Sequence, residues 1–247
     1  MTHVVAIVPA KNNVESISAT VPALLKSGAI GEVLVVDDGS VDGTGESANK
    51  AGARVIELES NLGKGGAVAA GVASSGAPDN YLLVDADLGG SATHAVELLQ
   101  PLLEDRAEMA IAVFPDEGRS RGFGFAKLTA TGLLVEATGR SFLEPLSGQR
   151  AINGPLMRSL TLAGGFGLEV GLTMDVDVAG GRIVEIPLEL SHTPTGRGIR
   201  GILHRAGQLR DLMRAAASRL GWRCTLESTM RAAIRRIKQW YCRLVSL

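Results

Sequence analysis

Four apolar runs in the first third of the chain each stop at a polar loop. His3–Val8 ends in Pro9-Ala10-Lys11-Asn12-Asn13, and Glu32–Val36 ends in Asp37-Asp38-Gly39-Ser40. Arg54–Leu58 leads to Asn61-Leu62-Gly63-Lys64-Gly65-Gly66, and the run from Tyr81 to Val84 gives way to Asp85-Ala86-Asp87-Leu88 before Gly89-Gly90-Ser91. Short runs that are apolar throughout fit strands buried on both faces. Between them the spacing turns helical: Glu15–Lys26, a segment to about Lys50 capped by Ser40 or Asp42, and an Ala-rich stretch through Ala73. Ser91 is expected to cap a helix to about Leu103, and Glu108–Val113 reads as a fifth strand. This alternation predicts an α/β fold, a doubly wound and mostly parallel sheet. Right-handed crossovers then bring the polar loops to one edge of the sheet, where such folds bind ligands.

The pattern loosens further on. Pro115–Gly122 is polar and carries Arg119 and Arg121, either a grip for an anionic acceptor or a solvated loop. Phe125–Thr138 is helical, Pro145–Ala151 reads as an extended turn, and Pro155–Leu160 as a short helix. Gly164–Gly167 precedes a helix over Leu168–Val178, and Arg182–Leu190 is a strand that runs out at His192. From Ile199 the chain reads as two helices parted by Gly221. One has an apolar face of Ile202, Leu203, Ala206, Leu209, Met213 and Ala216; the other has Leu226, Met230, Ile234, Ile237, Tyr241 and Leu244. We therefore divide the chain into a domain over 1–198 and a basic amphipathic extension over 199–247. A helical pair cannot cover such stripes alone, so the body, a second subunit or a membrane surface must do so.

Several residues are candidates for chemistry. Asp85 and Asp87 follow a buried strand, and paired carboxylates suit a hard divalent cation carrying substrate phosphates. Two solvated loop aspartates would look the same. Lys64 opens a helix whose N–H groups favour an anion, although the Gly-x4-Gly-Lys-Ser/Thr order of a P-loop is absent. Glu169 lies in a first helical turn, where it is either a site residue or a partner of the helix dipole. His192 is a metal ligand or a structural imidazole.

Composition narrows the partners. Of 247 residues 45% are hydrophobic but only 4% aromatic, so the core must be aliphatic. The net charge of -1 hides an asymmetry. Residues 195–247 hold 12 of the 25 Lys and Arg but only two carboxylates, Asp211 and Glu227, leaving 13 basic and 24 acidic residues in the body. Such a tail suits an anionic surface or a partner subunit, and we expect a homodimer. Cys224 and Cys242 would stand about 27 Å apart on one helix, too far to bridge. No signal-peptide core and no run of about 18 apolar residues is found, so we expect a cytoplasmic protein with no membrane span. Nucleic acid is not an expected partner.

Together, Val8-Pro9-Ala10-Lys11-Asn12, Val36-Asp37-Asp38-Gly39-Ser40, Asn61-Leu62-Gly63-Lys64-Gly65 and Asp85-Ala86-Asp87-Leu88 resemble the nucleotide-sugar half of a family 2 glycosyltransferase. Pro145-Leu146-Ser147-Gly148, Gly165-Phe166-Gly167-Leu168-Glu169 and Ser191-His192 extend the resemblance to the glucosyl-3-phosphoglycerate synthase group, which has a GT-A (Rossmann-like) fold. The resemblance implies a nucleotide-sugar donor such as UDP-glucose, a Mg²⁺ or Mn²⁺ cofactor, and retention at the anomeric carbon. It implies that Pro9, Ala10 and Asn12 contact the base, and Asp38 the nucleoside. Lys64, Asp85 and Ala86 would hold the base and ribose, and Asp87 and His192 the metal. Glu169 would be the catalytic residue, with Leu146, Gly148 and Arg197 on the sugar and acceptor side. The chain departs from that group in having Asn12-Asn13 where Asn-Glu is usual, no matching acceptor loop, and Pro194 where an Asn is expected, so the acceptor is left open. A peripheral polyprenyl-phosphate glycosyltransferase, a sugar-1-phosphate nucleotidyltransferase and a non-catalytic nucleotide-binding module are the alternatives.

Overall fold

The computed structural model describes residues 2–114, 124–191 and 200–245, with side chains from 207 to 234 in the last stretch. Arg119, Arg121, His192 and Arg197 therefore lie outside the described residues.

Among the described residues seven strands form one sheet in the order β3-β2-β1-β4-β6-β5-β7. They are β1 (Val4–Ala10), β2 (Glu32–Asp37), β3 (Arg54–Glu57), β4 (Asn80–Leu83), β5 (Met109–Val113), β6 (Arg150–Asn153) and β7 (Ile183–Pro187). All run parallel except β6, which is antiparallel to both β4 and β5. Side chains alternate between two cores. Val4, Ala6, Val8, Val33, Val35, Leu82, Ala110 and Ala112 pack beneath α1 (Val14–Lys26) and α2 (Thr44–Lys50). Val5, Ile7, Leu34, Val36, Tyr81, Leu83, Met109 and Ile111 pack beneath α3 (Gly63–Ser74), α5 (Gly124–Thr138) and α7 (Leu168–Val178). Burial on both faces is why the strands read as unbroken apolar runs.

Three local expectations need correction. Pro145–Ala151 is not wholly an extended turn, because its last two residues begin strand β6. That strand is short and opens with Arg150, a charge that a buried strand rarely carries. Ser91 does not cap an α-helix: Gly89–Leu99 is 3₁₀, and only α4 (Gln100–Leu103) is α-helical. The Ser91 hydroxyl instead donates to Leu88 O at 2.8 Å and accepts from Ser191 N at 3.1 Å. The strand expected over Arg182–Leu190 is regular only from Ile183 to Pro187.

α6 (Gly154–Ser159) follows β6, and the extension is α8 (Arg200–Leu220) and α9 (Trp222–Val245), turned at Gly221 with φ +81°. α8 packs on α7, where Arg219 pairs with Asp175. α9 lies on α5 through small residues: Thr225, Ser228 and Ala232 are buried, and a Cβ on Gly132 would come 3.3 Å from Ser228 Oγ. The large apolar side chains predicted to seek cover face outward, with Leu226, Met230 and Ile234 all exposed. Close helix contact favours small residues at the seam, so the stripe of large ones is turned away from the body.

Candidate active site

The carboxyl ends of β1 to β4 share one sheet edge, and the polar loops gather there. Asn12 ends the first with φ +52°; its N–H donates to Ser40 Oγ at 2.9 Å and its side-chain oxygen accepts from Val41 N at 3.0 Å. Pro9 and Ala10 close β1 beside it. Asp38 is buried, and its two oxygens accept from Leu62 N at 2.6 Å and Gly63 N at 2.9 Å. The first N–H of α3, that of Gly63, and the Leu62 N–H before it are thus already taken by this carboxylate. Asp38 neutralises the helix terminus and fixes the loop that presents Lys64.

Lys64 is the centre of the arrangement. Its Nζ stands 2.6 Å from Asp85 Oδ1 and 2.8 Å from Glu169 Oε1. Burial alone would lower its pKa, but the charges of Asp85 and Glu169 outweigh it and raise the value, so the ammonium stays protonated at neutral pH. It therefore acts as a cation and not as a base. Three elements deliver these groups. The first turn of α3 rests on the Ala163-Gly164 main chain, where a Cβ on Gly65 would overlap Ala163 O, and this brings Lys64 beside α7. Glu169 is in the first turn of α7 and 5% exposed. Asp85 follows β4, where Thr20 of α1 donates to Ala86 O at 3.0 Å and accepts from Gly89 N at 2.9 Å, bracing the Asp85–Gly89 turn.

β6 supplies the floor. Leu83 pairs with Arg150, so continuing the antiparallel register sets Gly148 opposite Asp85. A Cβ on Gly148 would lie 2.7 and 2.8 Å from the two Asp85 carboxylate oxygens and would overlap Lys64 Nζ. Gln149 Nε2 donates to Asp85 Oδ2 at 2.8 Å. Arg150 is fully buried. Nε donates to Ser147 O at 2.8 Å, Nη2 to Pro145 O at 3.2 Å, and Nη1 to Glu169 O at 2.9 Å and Thr173 Oγ1 at 2.8 Å. One guanidinium thus ties the Pro145–Gly148 loop, including half-buried Leu146, to the helix that carries Glu169. Burial lowers its pKa to about 10, with Glu169 and Glu185 opposing the shift.

Sequence reasoning missed Thr20, Gln149, Arg150 and Thr173. Arg150 had a signal: a lone charge opening a short apolar segment. The others had none. Asp87 is half-buried two residues beyond Asp85, and no group of three or more His, Cys, Asp or Glu able to hold a metal occurs among the described residues. A single carboxylate fits a cation that arrives on a diphosphate and keeps its waters better than one caged by protein alone. The Ser91–Ser191 hydrogen bonds bring the residue before His192 to the turn that follows Asp87.

The model of the family described as Glycosyl transferase family 2 matches residues 5–155. Glycosyltransferase AglJ of Haloferax volcanii is 30% identical over 195 residues, covering 76% of this chain. The chain spans only 63% of the length of that relative. Undecaprenyl-phosphate mannosyltransferase of Micrococcus luteus is 29% identical over 224 residues, 81% of this chain and 90% of the relative. Glucosyl-3-phosphoglycerate synthase of Mycobacterium tuberculosis, solved with Mn²⁺, UDP-glucose and phosphoglyceric acid, superposes with a TM-score of 0.76 at 26% identity. That match covers 89% of this chain and 80% of the other, and the fold is accordingly of the GT-A type.

Proposed function

The chain belongs to glycosyl transferase family 2, and we propose that it is a metal-dependent hexosyltransferase that moves glucose from UDP-glucose to a small or phosphorylated acceptor. The observation that carries this reading is the Lys64 bridge between Asp85 and Glu169, built at the sheet edge where open α/β folds bind ligands. In this reading Asp85 accepts from the ribose hydroxyls, and Pro9, Ala10, Asn12 and Ala86 line the nucleoside. Asp38 contacts the nucleoside and also holds the Lys64 loop. Lys64 orients both carboxylates and offsets their charge. Glu169 positions the acceptor hydroxyl, whose oxygen bonds to the anomeric carbon as the bond to the diphosphate breaks and the hydroxyl proton passes to the departing diphosphate. Leu146 and Gly148 would bound the sugar, and Arg197 is assigned to the acceptor side.

Asp87 and His192 would hold Mg²⁺ or Mn²⁺, which offsets the charge gathering on the departing diphosphate. The Ser91–Ser191 contact supports that pairing. A cytoplasmic homodimer belongs to the same proposal. A second reading, transfer to a polyprenyl phosphate, is favoured by the long match to the Micrococcus luteus relative and by the exposed apolar stripe of α9.

Thermal unfolding with UDP or UDP-glucose, with and without Mn²⁺, tests the donor site. A ligand at a hundredfold excess over its Kd should add about 2.7 kcal/mol of stability. UDP with Mn²⁺ should stabilise the protein and ADP should not, and Asp87→Asn should lose the metal-dependent part. Absence of any UDP shift would refute the proposal. UDP release assayed with a phosphorylated hydroxy acid and with a polyprenyl phosphate in detergent then separates the two acceptor readings.

A further inference from the structure

Trp222, Leu226, Met230 and Ile234 recur at every fourth position of α9 and are 57%, 47%, 59% and 53% exposed. Residues four apart on a helix stack along one side, so these four make a continuous apolar strip on the surface. The opposite side of α9 is occupied, by the small residues that seat it on α5. Single exposed apolar residues need no explanation, but an aligned strip on an otherwise anchored helix marks a surface that meets another phase or molecule.

Charge identifies the occupant. From Trp222 to Val245 the sequence carries Arg223, Arg231, Arg235, Arg236, Lys238 and Arg243 against the single acid Glu227. Arg223 borders the strip at 96% side-chain exposure, reaching Glu227 at 3.2 Å, and Arg231 reaches Glu136 on α5 at 3.2 Å with 56% exposure. Pairs this exposed leave both arginines open to a further anion. A two-fold contact of α9 with its copy would press these cationic helices together, because such interfaces place the same patch on both sides. An anionic bilayer has the opposite requirement: apolar depth for the strip, phosphates for the arginines, and an interfacial level for the Trp222 ring.

We propose that α9 is a membrane-docking helix that lays its Trp222–Ile234 strip into the headgroup layer of anionic lipid while its Thr225–Ala232 side stays on α5. The proposal is independent of the transferase reading, since the test needs neither donor nor acceptor. The full chain is floated with vesicles of phosphatidylcholine alone, and with vesicles in which about a third of the lipid is phosphatidylglycerol. Wild type should float with the mixed vesicles only, and raised salt should weaken the association. Met230→Gln/Ile234→Gln should bind at least tenfold more weakly while keeping the wild-type melting temperature, because both side chains are exposed. Arg223→Gln/Arg231→Gln should lose the preference for anionic lipid. Failure of wild type to float, or equal flotation of the Met230→Gln/Ile234→Gln variant, overturns the proposal. So does light scattering that shows a dimer which those two substitutions split into monomers, since the strip would then be a subunit seam.

Discussion

Replacing Arg150 with Met deletes a guanidinium that no water reaches and leaves a side chain of similar length in its place. The Glu169 carbonyl keeps a donor, because Thr173 Oγ1 also reaches it at 2.9 Å. The Pro145 and Ser147 carbonyls lose the bonds that Arg150 gave them. Each buried carbonyl left without a partner costs about 1–3 kcal/mol. Relief from no longer burying a charge returns part of that, so the net loss is about 3 kcal/mol. In a chain of this size 1 kcal/mol moves Tm by about 2–4 °C, which gives an expected fall of roughly 6–12 °C. Arg150→Lys should fall nearly as far, because an ammonium cannot reproduce the planar fork that meets acceptors on two elements. Melting followed by circular dichroism measures the loss. In a UDP-release assay both variants should also lower kcat, since Arg150 sets the spacing between the Pro145–Gly148 loop and Glu169. A Tm within about 2 °C of wild type would show that the carbonyls find other donors, and the tie between loop and helix would have to be abandoned.

Glu169→Gln should leave UDP affinity near wild type and slow transfer by at least about a hundredfold, and weakened UDP binding with normal turnover would move Glu169 out of its role. Gly148→Ala pushes a methyl group into Lys64 Nζ and the Asp85 carboxylate, so UDP binding measured by calorimetry should weaken at least about tenfold; unchanged affinity would mean that the bridge is not part of the donor site. Asp42 is pushed up by burial, but bonds from the Thr44 hydroxyl and from the Val14 and Thr44 amides outweigh this and hold it below its ordinary value. Its contribution is therefore complete above the ordinary carboxylate range and fades as pH falls through the lowered value. Asp42→Ala should cost about 1 kcal/mol in urea unfolding at pH 7 and much less near pH 2, and an equal cost at both would deny the charge a part.

Of the strands before residue 114, β1, β2, β4 and β5 were legible because they are buried on both faces, which leaves an apolar run that ends at a loop, whereas β3 is a more exposed edge strand. β6 was not, since a four-residue strand opened by an arginine has the composition of a turn, and only pairing with β4 and β5 makes it a strand. The same limit applies to the site. The positions of Asp85, Lys64 and Glu169 could be picked out singly, but their meeting at one ammonium depends on the Gly65 contact with Ala163 and on the β4–β6 register, which are tertiary facts. α9 illustrates the third kind of gap. Its amphipathic period was plain, and yet the seam with α5 was chosen by Thr225, Ser228 and Ala232, whose size lets two helices approach, and not by the residues of greatest hydrophobicity.

β6 stands between β4 and β5 in space but follows both in the chain. A chain still emerging from the ribosome can add β2, β3 and β4 around β1 as each appears, but β5 has no strand to hydrogen-bond until Arg150–Asn153 has been made. Until then β4 presents a raw edge, the kind that captures stray strands. The segment that shuts this edge also carries Gln149 and Arg150 into place. Covering the β4 edge and laying the floor of the pocket are therefore one event, and a half-made chain has neither.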